Sequence, residues 1–367
     1  MLQEIYHHII RLRARYLESI KRKAELRNIE KKRKLYETVQ ISEQEDKDIR
    51  NYWKAISGQT IDTRWHRLYA SYQQCPIQKD FFPEILYSTK LENKLSNPKF
   101  YSVLSDKGFM TTIFPGDSTY RTPKTVVYNS YGTFTNGERQ VINKDEAAKA
   151  VAEAGMVIVK PTIDTSSGDG VLKVDFTQGE ETESYLAASN LFKQYKQNFI
   201  VQECVRQSCY LSRLCDKSLN TFRIITYVCQ GKVFHAPLSL RMGTGTSYVD
   251  NIHQGGVSIG VSGDYRLRKY AFSEFGERYE SHPYSHVKFE DYDISPLKNI
   301  VEVAERLHGY VPMLKMISWD WSLDENDMPV LIEMNITGQS VWFPQMVNGE
   351  TFFGENTVYF ANLIKNE

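Results

Sequence analysis

The stretch "MISWDWSLDENDMPVLIEMN", Met316 to Asn335, decides the reading of this chain. Asp320 stands between two tryptophans in one apolar run, and Glu333 closes a second apolar run two residues before Asn335. Side chains alternate between the two faces of a strand, and "DENDM" between the runs has the composition of a turn. The runs are therefore expected to be consecutive hairpin strands, with Asp320 facing Glu333 and Asn335 on the side of Glu333. A carboxylate buried without a partner costs several kcal/mol, so each acid should have a cation or a set of donors nearby.

Candidates for that partner lie upstream. Lys160 closes the apolar strand "MVIVK" and leads into "PTIDTSSGDGV", whose Ser166, Ser167, Gly168, Asp169 and Gly170 can present backbone N–H groups with little steric hindrance. Loop amides beside one cation suit a polyphosphate. The lysine precedes the glycines and no GxxxxGK[ST] string occurs, which disfavours a Walker-type fold. A plain hairpin turn with a snorkelling lysine accounts for this segment equally well.

Glu203 ends the apolar run of "NFIVQECV", where a strand end can receive a flat ring through backbone hydrogen bonds. "LNTFRIITYV" places Asn220, Thr221 and Arg223 at the start of another strand, and Arg241 ends its hairpin mate. Arg223 shares a largely apolar face with Ile225 and Tyr227, so its guanidinium needs an anion. In "YVDNIHQGGVSIGV", Asp250, Asn251 and His253 feed Gly255 and Gly256, a substrate loop or simply a hairpin turn.

These elements supply a functional answer and a structural one for the opening stretch. Two carboxylates and an amide oxygen on adjacent strands form a hard, oxygen-only set that Mg²⁺ accepts when nucleotide phosphates complete its shell. In the structural account the two acids instead pair with Arg223 or Arg241.

Composition excludes several classes. The chain of 367 residues is 41% hydrophobic and 25% charged, an ordinary globular balance, with room for two domains or one enzyme built of lobes. Lys plus Arg equal Asp plus Glu at 45 each, so no global field favours nucleic acid. Residues 1–40 nevertheless hold eleven Lys/Arg against five Glu, including "KKRK" from Lys31 to Lys34. The five cysteines show no CxxC spacing, which suits a reducing compartment and argues against a disulfide framework or a zinc site. No apolar run approaches the roughly 20 residues of a membrane span. The chain is expected to be cytoplasmic.

Apolar residues recur at helical spacing from Leu2 to about Leu35, predicting a long helix that packs one stripe on the body. Its alternative is a basic face for an anionic lipid surface, which would make the protein peripheral to the inner face of the membrane. Ser42 and Glu45 predict a capped second helix. An irregular aromatic segment is expected from there to about residue 100, and short strands alternating with helices follow. The expected class is α+β with mixed sheets, divided as a basic helical extension (1–60), an intermediate segment (61–120), a small lobe (121–205) and a large lobe (206–367).

Taken in order, "VIVKP" with its Gly/Ser loop, "FIVQE" and "VLIEMN" resemble the ATP-grasp superfamily, in which ATP lies between two α+β lobes. With "DKGF" (Asp106, Lys107), "LNTFRIIT", "DNIHQGG" and "HP" (His282, Pro283), the chain looks like the sugar-transfer-associated ATP-grasp family over about residues 40 to 350. The resemblance implies that Lys107 and Lys160 bind ATP phosphates and that the loop from Ser166 to Gly170 closes over them. It further implies that Glu203, with the backbone of Cys204 and Val205, meets the adenine and that Asp320, Glu333 and Asn335 hold Mg²⁺. Some relatives carry an arginine just before the first metal acid. Here Ser318 and Trp319 stand there, so anion stabilisation falls to Arg223 or Arg241.

The implied reaction is ADP-forming ligation of a carboxylate to an amine through an acyl phosphate, on a sugar or polysaccharide precursor. A kinase acting on a glycan hydroxyl and a nucleotide-binding scaffold are the alternatives. Asn220, Asp250, Asn251, His253, Gly255 and Gly256 are the expected substrate contacts, and the ribose contact is left without a candidate.

Overall fold

The structure, a computed structural model, describes residues 2–96, 98–163, 168–177, 179–245, 250 and 252–365. The first helix, α1 (Leu2–Lys31), is as long as its periodicity predicts. Its stripe is not packed throughout. Ile9, Leu12, Tyr16 and Ile20 are exposed, and close packing begins only near Ile29. The second helix, α2 (Glu43–Ser57), starts with the expected capping box, in which Ser42 and Glu45 satisfy each other's backbone N–H groups.

The segment to residue 100 is more helical than its prolines indicate. It contains α3 (Arg64–Gln73) and a helical run from Glu84 to Leu95 with a π-turn at Tyr87–Leu91. Buried aromatic packing, with Trp53, Tyr69, Phe81, Phe82 and Tyr87 fully enclosed, overrides weak local propensity there.

Two sheets make up the rest. The first contains β1 (Thr125–Ser130), β2 (Thr133–Asn136), β3 (Val141–Ile142), β4 (Met156–Pro161), β5 (Leu172–Asp175) and β6 (Phe199–Glu203), in the order β3-β2-β1-β6-β4-β5. Val157, Val159, Phe199 and Val201 point into a core covered by helices Lys144–Glu153 and Glu181–Tyr195. Alternation turns Ile158, Lys160 and Gln202 to the other face.

The second sheet contains β7 (Thr221–Cys229), β8 (Lys232–His235), β9 (Ser239–Met242), β10 (Val257–Val261), β11 (Leu267–Phe272), β12 (Arg278–Tyr279), β13 (Met316–Leu323) and β14 (Pro329–Asn335). The order is β12-β11-β10-β9-β7-β13-β14, with β8 against the far half of β7. Every ladder among the described residues is antiparallel, which corrects the expectation of mixed sheets. The Gln230–Gly231 turn permits a direct β7–β8 hairpin, so no crossover is needed there.

One face of this sheet, with Phe222, Ile224, Ile317, Trp319 and Trp321, packs on helix Leu297–His308. The opposite face is divided. Tyr227, Ile225 and Met316 meet the N-terminal helices, whereas Arg223, Arg241 and Asp320 lie beyond them, where the first sheet approaches.

Candidate active site

The two tryptophans explain how Asp320 comes to be buried. Trp319 and Trp321 fill the core, and β13 cannot place both inward without turning Asp320 to the other face. Asp320 sits opposite Glu333 on β14 and opposite Arg223 on β7. The Arg223 Nε and Nη2 donate to Oδ1 and Oδ2 at 2.6 and 3.2 Å, and Arg241 Nη2 lies 3.1 Å from Oδ2. Asn335 Nδ2 adds a donor to Oδ2 at 3.4 Å. The missing partner of Asp320 is thus a pair of arginines.

Burial works against the Asp320 charge, but Arg223 and Arg241 outweigh it and hold the carboxyl below its usual range. Burial, and then the charge of Arg241, lowers Arg223. Arg241 is raised: its acids, Asp320 first and then Asp250, outweigh the opposing effect of burial. Asp250, pushed up by burial, pairs with Arg241 at 3.6 Å and accepts from the Thr221 hydroxyl.

Glu333 has a different partner, Lys107 Nζ at 3.3 Å. Asp106 places that lysine by capping helix Lys107–Ile113, accepting from Gly108 and Phe109 N–H at 2.7 and 3.1 Å. The backbone N–H of Lys107 is tied to Thr162 O in the loop after β4. Lys160 projects from β4 toward Ile332 O at 3.5 Å, and burial pulls its ammonium down to about 8.

These groups line one cavity of about 230 Å³. Of the residues chosen from sequence it brings together Lys107, Lys160, Gly168, Glu203, Val205, Arg223, Arg241, Asp250, Asp320, Glu333 and Asn335. Ile158, Val171, Leu219 and Ile332 make part of its wall apolar, suited to a flat ring, while the cations and acids gather at the other residues.

Other choices fall elsewhere. Ser166, Ser167 and Asn251 lie outside the described residues. Gly170 packs against Pro161 and is not on the cavity wall. Cys204 spends its N–H on Met156 O at 3.1 Å and lines a neighbouring cavity. Asn220 is fully enclosed, with Nδ2 on Leu211 O and Cys215 O at 2.8 and 2.9 Å, an arrangement that braces the entry to β7. His253 bonds Glu274 at 2.9 Å and lines two cavities beyond the arginines, and Gly255 and Gly256 line neither of those nor the main cavity.

Arg121 escaped the sequence reading. Its Nη1 holds Glu203 Oε1 at 2.5 Å and its Nε holds Asp324 Oδ2 at 2.7 Å, while Lys124 N–H also donates to Glu203 Oε1. Glu203 is therefore an anchored strand end with one oxygen occupied. "YRTPK" carries no motif for this, because its two partners lie 82 and 203 residues downstream.

Asp320, Glu333 and Asn335 are oxygen donors of the type Mg²⁺ takes. Asp320 Oδ1 receives one donor where Oδ2 receives three, and Asn335 turns its amide nitrogen toward Asp320. Glu333 Oε1 has a contact with a lysine and no shorter ion pair among the described residues. Among the described residues no three His, Cys, Asp or Glu side chains cluster as a metal site, so a divalent cation here would need Glu333, the Asn335 amide oxygen and Asp320 Oδ1 together with oxygens from a bound phosphate.

The chain belongs to the sugar-transfer associated ATP-grasp family, whose pattern it matches over residues 86–359. Among solved structures it is similar to D-alanyl-alanine synthetase A from Vibrio cholerae, at 16% identity and TM-score 0.42, over 74% of this chain and 67% of that one. It is also similar to D-cycloserine synthetase DcsG, at 12% identity and TM-score 0.42, over 83% of this chain and 79% of that one. The ATP-grasp ligase PsnB, solved with a minimal precursor, Mg and ADP, is 11% identical with TM-score 0.41, over 74% of this chain and 62% of that one. No curated protein matches the chain.

Proposed function

We propose that the protein is an ATP- and Mg²⁺-dependent ligase that joins a carboxylate to an amine through an acyl phosphate, acting on a sugar or polysaccharide precursor. The supporting observation is the convergence of Lys107, Lys160, Arg223 and Arg241 on one cavity with Asp320, Glu333 and Asn335. The carboxylates on the same wall pair with Arg223, Arg241 and Lys107, so the cavity offers phosphate oxygens a set of fixed cationic donors beside oxygen donors that suit a counter-cation.

In this reading Lys107 and Lys160 grip the phosphates, and Glu333, Asn335 and Asp320 hold the metal, which when bound supplies charge neutralisation across the phosphate oxygens. Arg223 and Arg241 face the position where the carboxylate becomes an acyl phosphate. A substrate carboxylate oxygen bonds to the γ-phosphorus as ADP leaves. The amine nitrogen then bonds to the acyl carbon, the C–O bond to phosphate breaks, phosphate leaves with the electron pair, and the nitrogen loses a proton. Positioning and fixed charge supply the catalysis, and no side-chain nucleophile is required.

The test is ADP and phosphate release from ATP plus Mg²⁺ with pools of amino acids, uronic acids and nucleotide sugars, followed by mass spectrometry. A product formed with loss of water and one ADP supports ligation. A product that gains only phosphate would make the enzyme a kinase, and ATP binding without turnover across the panel would leave a nucleotide-binding scaffold.

The same proposal includes peripheral contact with an anionic membrane through α1. Its exposed Ile9, Leu12, Tyr16 and Ile20 lie among the basic residues of the first forty. No helix among the described residues is long and apolar enough to cross a membrane.

A further inference from the structure

The face of the large sheet that carries Arg223 and Arg241 continues into two more cavities. The middle one, about 420 Å³, has Arg223, Arg241 and Asn335 on the side of the nucleotide cavity, and Trp342, Ser340 and His253 further out. The far one, about 500 Å³, shares His253, Gly338, Gln339, Ser340 and Trp342 with the middle cavity, and has no lining residue in common with the nucleotide cavity. Its roof is α1 and its floor is the helical run with the π-turn.

Spacing on both elements aims charge into this space. Glu84, Ser88 and Glu92 recur every four residues along the floor, whose π-turn keeps them on one face. Lys21, Glu25, Asn28 and Lys32 recur at helical spacing along α1. Two of the acids have cations. Lys21 meets Glu92 at 2.7 Å, and Lys32 sits 3.6 Å from Glu274 and 4.5 Å from the Trp342 ring centroid. The lysines thus show that this cavity accepts ammonium groups on carboxylates and an aromatic face.

Glu25 and Glu84 differ, having no cation within ion-pair distance among the described residues. Glu84 is tied by Ser340, Val341 and Trp342 donors, while burial and the charge of Glu25 raise it well above the usual range. Burial raises Glu25 as well. The Ser88 hydroxyl, nine-tenths buried on the same wall, eases the charge on Glu25 yet has no partner of hydrogen-bond geometry. Glu84 is buried and Glu25 half-buried, and with an unsatisfied hydroxyl beside them in an open cavity whose two lysines are engaged by Glu92 and Glu274, they form a site with room for a further cation.

We propose that the far cavity, walled by the N-terminal helix, binds an ammonium group of the amine substrate among Glu25, Glu84 and Ser88. This rests on the ligase reading. An ammonium held by carboxylates has no lone pair for attack, and the far cavity does not reach the arginines. The substrate therefore carries a second basic nitrogen, which crosses the middle cavity to the acyl carbon. Its chemical class is a diamine or a basic amino acid.

The experiment is calorimetric titration of the full chain, with ADP present, using lysine and putrescine against norleucine and butylamine. The dibasic probes are expected to bind at least about 10-fold more tightly than their monobasic counterparts. Glu25→Gln and Ser88→Ala should each weaken lysine binding severalfold with an unchanged melting temperature, which separates loss of the site from loss of the fold. Equal binding of dibasic and monobasic probes, no binding by any, or variants that bind like the parent would each overturn the proposal. Tight dibasic binding without a condensed product in the ADP-release assay would sink the ligase reading and leave the ammonium site standing. Condensation with norleucine as efficient as with lysine would sink the site and keep the ligase.

Discussion

Arg223 and Asp320 stand directly opposite each other on adjacent antiparallel strands and are joined by two hydrogen bonds, Nε–Oδ1 at 2.6 Å and Nη2–Oδ2 at 3.2 Å. The pair fixes a guanidinium in the cavity wall, and Arg241 leans on the same carboxylate. Removing one member of a buried pair strands the charge of the other. Asp320→Ala is therefore expected to lower unfolding free energy by about 3–5 kcal/mol and to abolish ATP-dependent turnover. Urea unfolding checks the first part, and a loss below about 1 kcal/mol would place this pair with surface ion pairs.

Lys160 gives a pH signature. Its folded pKa, about 8, lies below its ordinary 10.5, so above pH 8 the unfolded chain holds more protons than the folded one. Stability should then rise as pH goes from about 8 toward 10.5, because the penalty for burying the ammonium is present in full below that window and disappears through it. Lys160→Met should remove the slope and stabilise the protein at neutral pH by up to about 3 kcal/mol.

Nucleotide affinity should run the other way. Phosphates beside Lys160 favour its charged form, so the Kd for ATP is expected to increase as pH climbs past 8. Lys160→Met should bind ATP weakly with little pH dependence. A parent protein whose ATP affinity is flat between pH 7 and 10 would remove Lys160 from the phosphate site.

Glu333 is the donor with the fewest competing contacts, and its loss should be felt in metal dependence. Glu333→Ala is expected to cut turnover by at least about 100-fold and to raise the Mg²⁺ concentration needed for half activity. Full ATP-dependent turnover in this variant would show the metal assignment to be wrong.

The exposed first half of α1 makes a separate prediction. The parent should float with liposomes containing anionic lipid at low salt and release at high salt, whereas a variant with Ile9, Leu12, Tyr16 and Ile20 changed to Ser should not. Identical behaviour of the two proteins would return α1 to a purely structural role, roofing the far cavity.

The hairpin was legible in the sequence because local rules specify it. Alternation around Trp319 and Trp321 dictated which way Asp320 points, and the Ser42–Glu45 capping box marked the start of a helix, whereas the register running from the "DENDM" turn would set Asp320 against Ile332 and a bulge between Asp320 and Trp321 brings it opposite Glu333. Lys160 and Glu203 could be chosen for the same reason, each being the polar end of an apolar strand. Tertiary structure alone decided their partners. That Asp320 would take both arginines while Glu333 takes Lys107, and that Arg121 would bind Glu203 and Asp324, depends on distances between strands far apart in sequence. No local pattern encodes such a distance. Asn220 and Cys204 show the converse, since polar groups at apt sequence positions were consumed by backbone partners that only the folded chain supplies. The sequence by itself set the faces and ends of the strands through their period of two. The packing of one sheet against the other, and of α1 over the far cavity, set which charges meet.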